Sequence, residues 1–176
     1  MAIESKAEMP GPGSMIPSFE LAAANRPGHL NPWNYKQHDN LLLFFFHGGG
    51  CAACRRLLRD IAAKHSEYRN LDCEVLAISR EGIEELRQLA ADLNLPFPLL
   101  SDREGRVFEA YLGQGARGLK PREGDVAVFI ADRFGELYAR MIAADADGLP
   151  AEPGIRDWFQ FIQIQCPECY APEWPA

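Results

Sequence analysis

The sequence carries no excess of basic residues, no long apolar run and none of the motifs that mark phosphate binding or hydrolytic catalysis. Lysine and arginine total 18 against 25 aspartates and glutamates, for a formal charge of −7, with a sequence pI near 5.1. An acidic surface offers a nucleic-acid backbone or an anionic membrane nothing to bind, so neither partner is expected. The longest apolar run, Leu41 to Phe46, falls far short of the ~20 residues that cross a bilayer. The first twenty residues include Glu4, Lys6 and Glu8 and hold no stretch resembling a signal peptide, so the expected location is cytoplasmic. There is no glycine-rich phosphate loop, no paired-carboxylate signature, no Ser/His/Asp arrangement and no internal repeat.

What remains is an ordinary globular composition, 47% hydrophobic and 24% charged over 176 residues. That is enough material for one domain with a full core and no disulfide staples. Five cysteines cannot all pair, and in a reducing compartment such an odd set points to catalytic, redox-sensing or metal-binding use.

The pair Cys51-Ala52-Ala53-Cys54 follows Leu41 to Phe46 and the spacer His47-Gly48-Gly49-Gly50, and it opens a stretch with helical spacing. The first turn of a helix presents unpaired N–H groups and partial positive charge, both of which favour a thiolate, the reactive form of cysteine. Arg55 and Arg56 add cations beside the pair. Residues three apart at a helix start lie roughly 5–6 Å apart, within disulfide range. Redox chemistry is therefore expected at Cys51 and Cys54. Cys51, nearer the helix start and behind three glycines, is the expected attacking thiol, and Cys54 the resolving one. The alternatives are half of a zinc site, in a non-catalytic metal- or protein-binding module, or two small buried residues. A zinc ribbon wants a second CxxC about 15–20 residues on, and none occurs before Cys166-Pro167-Glu168-Cys169. No metal is assigned.

Residues 1 to 15 read as a loose leader and Pro17 to Leu21 as a short strand. Leu41 to Phe46, apolar without alternation, predicts a central strand covered on both faces. Helix is expected over Ala52 to His65, residues 82 to 93, Glu104 to Leu112 and residues 154 to 165. Strand is expected at Cys73 to Ser79, at Phe97 to Leu100 and at Val126 to Ala131, the last leading through Asp132 to Gly135 into a hairpin; residues 113 to 125 read as a loop. The fold class is α/β, helices lying on both sides of one sheet.

Pro17-Ser18-Phe19-Glu20-Leu21, Ala77-Ile78-Ser79-Arg80-Glu81, Leu95 to Asp102 with Gly105 and Tyr111, and Phe129 to Gly135 together resemble the peroxiredoxin branch of the thioredoxin fold, the alkyl hydroperoxide reductase and thiol-specific antioxidant family. The resemblance covers roughly residues 16 to 164. It implies a three-layer sandwich with a central mixed sheet, a thiol-based oxidoreductase acting on hydroperoxides or protein disulfides, and a thioredoxin- or glutaredoxin-type reductant. The peroxiredoxin motif PxxxTxxC laid on this chain puts His47 at the proline, Cys51 at the threonine and Cys54 at the peroxide-attacking cysteine. The thioredoxin template instead makes Cys51 the attacking thiol. The thioredoxin cis-proline would fall near Val126, where there is no proline, and the active-site arginine of peroxiredoxins has no counterpart in that region. No organic cofactor is implied, because sulfur carries the electrons.

Residues 166 to 176 form a proline-rich tail whose Cys166 and Cys169 are candidates for a redox relay to the Cys51–Cys54 disulfide, a metal site completed by those two thiols, or a pair without function. His47 could polarise a substrate or tune Cys51, as could Arg55, or His47 could simply close a strand. Cys73 reads as a buried apolar residue, His65 as a surface or helix-terminal charge, and Trp158, Phe159 and Phe161 as core and rim.

Overall fold

Side chains of a strand alternate between the two faces of its sheet. A run in which every residue is apolar therefore needs partners above and below. In the computed structural model, which describes residues 9–113 and 126–165, β3 (Asn40–Phe45) is buried along its whole length. Leu42 and Phe44 enter one hydrophobic cluster, and Leu41, Leu43 and Phe45 enter the other. β4 (Cys73–Ser79) and β6 (Val126–Ala131) are likewise wholly buried.

The sheet is mixed and seven-stranded, with β1 (Leu21–Ala23), β2 (His29–Leu30), β5 (Leu99–Ser101) and β7 (Leu137–Ala143) completing the order β2-β1-β5-β4-β3-β6-β7. β3, β4 and β5 run parallel, while β6 pairs antiparallel with β3, from Leu41↔Ala131 to Phe45↔Ala127. On one face pack α1 (Ala52–Ala63), α2 (His65–Asn70), α3 (Ile83–Leu93) and α5 (Glu152–Ile164), through Leu57, Leu58, Ile61, Tyr68, Leu86 and Phe159 among others. On the other lies α4 (Arg106–Leu112), whose Phe108 and Tyr111 close an aromatic cluster on Phe45 and Phe129. Helix, sheet and helix make the expected three layers.

Several boundaries differ from the sequence reading. The segment from Pro17 is not strand; β1 begins at Leu21, paired with Leu30. Proline has no N–H to give a ladder, and the Pro17 carbonyl instead accepts from Tyr111 Oη at 2.6 Å while Phe19 is buried beside that ring. The stretch expected to be loose is tied down from Met9 onward: Arg140 donates to the carbonyls of Met9 and Pro10, and Gly13 and Ile16 donate to Leu137 and Gly135. The CxxC helix stops at Ala63 and a separate turn, α2, follows Lys64. One apolar side chain orders α2: Tyr68 is fully buried and meets Phe159 edge-on. His65, expected as a surface residue or a helix-terminal charge, instead opens α2 half-buried beside Phe97, where burial lowers its pKa. The hairpin turn is built by Asp132, whose Oδ1 accepts from the N–H groups of Phe134 and Glu136, with Gly135 at φ 87°. The glycine-rich stretch after Gly113 and the tail with Cys166 and Cys169 lie outside the described residues. No described helix is long and apolar enough to cross a membrane.

Phe45 contacts three aromatic rings at centroid distances of 5.0, 5.0 and 5.5 Å with no exposed surface. Phe45→Ala is expected to destabilise the fold by about 3–5 kcal/mol, read from urea or guanidinium unfolding.

Candidate active site

The chain leaves β3 at Phe45 and enters α1 at Ala52, so the intervening residues sit at the carboxyl ends of the parallel strands. Cys51 is the N-cap of α1, extended at φ −86°, ψ 111°. Its Sγ accepts the Cys54 N–H at 3.3 Å, the position a serine or aspartate oxygen takes in an ordinary cap. The sulfur thus faces the positive end of the helix backbone. Cys54, one turn in, is fully buried, whereas Cys51 is half-exposed. Burial first, and then hydrogen bonding to Cys51, pushes the Cys54 thiol up to about 12, against a smaller opposing pull from the His47 backbone.

A donor nitrogen of His47 and the sulfurs of Cys51 and Cys54 all lie within 4.8 Å of one another, so the structure brings together three of the residues singled out from sequence. Arg55 is also close, but its guanidinium donates to the Gly49 carbonyl at 3.3 Å and braces the loop. Arg56 is turned outward, paired with Asp147. Cys73 is buried at the start of β4, its thiol pushed well up by burial, as expected of a core residue. Phe159 is core, and Phe161 lies at the rim against Trp158 and Tyr138.

Glu81 is the participant that the sequence reading missed. It follows β4, and its carboxylate accepts the Gly49 N–H at 2.9 Å. Its own backbone is fixed by Ser101 Oγ, which donates to the Glu81 carbonyl at 2.7 Å, and by Ser79 Oγ, which accepts the Glu81 N–H. The Ser79 hydroxyl in turn donates to the His47 carbonyl at 3.3 Å. The glycine loop is clamped by the turn between β4 and α3. Gly48 is required by this contact: at φ +140° it occupies a region open to glycine, and a Cβ there would lie 2.3 Å from the Glu81 carboxylate. A Cβ on Gly50 would meet nothing within 4 Å. The signal that could have revealed Glu81 is the glycine run itself, since a loop without side chains leaves room for someone else's.

Two outcomes follow from this geometry. Gly48→Ala is expected to destabilise the protein by about 1–3 kcal/mol, and Glu81→Ala in the same chain to recover only part of that, because the clash is removed while the strained φ stays; unfolding of the two single variants and the double variant measures it. With Cys54 near 12, its thiolate fraction grows about tenfold per pH unit between pH 7 and 10. Iodoacetamide is therefore expected to label the half-exposed Cys51 first and the buried Cys54 only slowly, at a rate that rises with pH, read by fragment-ion mass spectrometry.

A model described as the AhpC/TSA family matches residues 12–139. No curated protein sequence matches the chain. Among solved structures, Mycobacterium bovis AhpC superposes with a TM-score of 0.73 at 20% identity, over 95% of this chain and 99% of that one. Yeast mitochondrial 1-Cys peroxiredoxin gives 0.77 at 14% identity over 95% and 84%, and peroxidoxin BcpB of Mycobacterium tuberculosis 0.72 at 17% over 89% and 99%. At these identities the structures establish a shared fold, the thioredoxin-like fold in its peroxiredoxin form. With most of the sheet, α1 and the cysteine pair inside the matched residues, this chain belongs to the AhpC/TSA family of thiol-dependent oxidoreductases.

Proposed function

We propose that the chain reduces hydroperoxides by a two-cysteine cycle in which Cys51 attacks and Cys54 resolves. The observation that carries the assignment is the asymmetry of the pair: Cys51 is half-exposed and caps α1, whereas Cys54 is buried with its proton firmly held. The Cys51 thiolate attacks the distal peroxide oxygen, the O–O bond breaks, and the alkoxide or hydroxide leaves with a proton; Cys51 becomes a sulfenic acid. The Cys54 thiol then attacks that sulfur, the S–O bond breaks and water departs, leaving an intramolecular disulfide. A dithiol reductant of the thioredoxin or glutaredoxin type restores both thiols. The yeast 1-Cys peroxiredoxin is described as resolved through glutathione and thioredoxin systems, which supports the choice of reductant class. In this reading the working unit is residues 16–165, the compartment is the reducing cytoplasm, and Cys166 and Cys169 relay electrons from the reductant.

A second reading keeps the same thiols but takes a protein disulfide as substrate. The open space over Gly50 supports it, because a bulky partner can approach the Cys51 side of the loop. Peroxide consumption and insulin-type disulfide reduction, measured on one preparation, separate the two.

Cys51→Ser is expected to abolish turnover by more than about 100-fold. Cys54→Ser is expected to complete one peroxide reduction and stall, trapping a sulfenic acid that a dimedone-type probe labels at Cys51. An active Cys51→Ser chain beside an inert Cys54→Ser chain would reverse the roles and restore the peroxiredoxin register.

A further inference from the structure

We propose that the reduced site is also a reversible binding site for a soft divalent cation, Zn²⁺ being the probe of choice, held by Cys51 Sγ, Cys54 Sγ and a ring nitrogen of His47. The inference rests on the redox reading of the same two sulfurs and adds to it a third donor and a competing ligand.

Two thiolates and an imidazole are the donor types that zinc prefers. Here they come from one continuous stretch of chain, His47 through Cys54, and their donor atoms already lie within 4.8 Å of one another. A tetrahedral zinc with bonds of about 2.3 Å to sulfur and about 2.0 Å to nitrogen needs donor separations of roughly 3.5–3.8 Å. Contraction by about 1 Å through side-chain rotation is enough. The backbone carrying these donors is already fixed: Ser79 holds the His47 carbonyl, Glu81 holds Gly49, and helix α1 carries Cys54. A pre-formed backbone lowers the ordering cost of binding. Three protein donors leave one tetrahedral position for water or an exogenous ligand, and the set is complete without the tail cysteines.

Metal and oxidant need the same sulfurs, so each excludes the other. In the metal-loaded state each thiolate gives a lone pair to the cation, which lowers its nucleophilicity and slows peroxide turnover. When oxidation does occur, the two thiolates give up two electrons and form the S–S bond, the hydroperoxide takes those electrons with two protons to become alcohol and water, and the cation is released. Zinc would thus hold the site shut until oxidant or a stronger chelator removes it.

The test is a zinc titration of the reduced, full-length chain against a chromophoric chelator, using Cys166→Ser/Cys169→Ser so that only this site is read. One zinc per chain is expected, with no measurable binding in Cys51→Ser or in the oxidised protein. His47→Ala is expected to weaken binding at least roughly tenfold, and His47→Cys, which keeps a donor at that position, to restore it. Absence of zinc from the tail-substituted chain, or equal affinity in His47→Ala and its parent, overturns the inference. Thiols that oxidise to the Cys51–Cys54 disulfide yet never take zinc defeat this inference alone; zinc bound by thiols that no oxidant joins defeats the redox reading instead.

Discussion

The burial of β3 on both faces is the constraint from which the architecture follows. A strand with apolar side chains pointing both ways is stable only between two layers, and β3 receives them from α1, α3 and α5 on one side and α4 on the other. It also pairs on both edges, parallel to β4 and antiparallel to β6. A strand so enclosed can release the chain only at its ends. The carboxyl end is where the chain turns into α1, and the thiols stand there because the core leaves them no other place.

The two sulfurs differ although only two alanines separate them. One sits before the first helical residue and accepts a hydrogen bond from the helix; the other sits inside the first turn against Leu57, Leu58 and the sheet. Three residues along a helix are enough to take a group from the rim into the core. Cys54 gains a raised proton affinity from that displacement, while Cys51 keeps its exposure. The difference in burial between the cysteines is thus a product of helix geometry more than of special neighbours, since the guanidinium groups of Arg55 and Arg56 are engaged by Gly49 and Asp147.

Much of this was legible in the residues. β6 falls where an uninterrupted apolar run placed it and β4 where alternation did, because both signals are local and do not depend on partners. The CxxC pair, the hairpin at Asp132 and the amphipathic α3 and α5 were legible for similar local reasons. What escaped depends on residues distant in sequence. α2 is ordered by Tyr68 meeting Phe159, which no local pattern announces. The displaced first strand reflects a Tyr111 hydroxyl taking the Pro17 carbonyl. Glu81 stood inside a recognisable segment, but its grip on Gly49 is a tertiary fact.

That grip spans 32 residues of sequence, and the bond joining Asn40 to Arg133 spans 93. Contacts so remote form late, since loop closure must precede them. A nascent chain emerging from the ribosome therefore displays both sulfurs of the pair before the scaffold that buries Cys54 and leaves Cys51 half-exposed is complete.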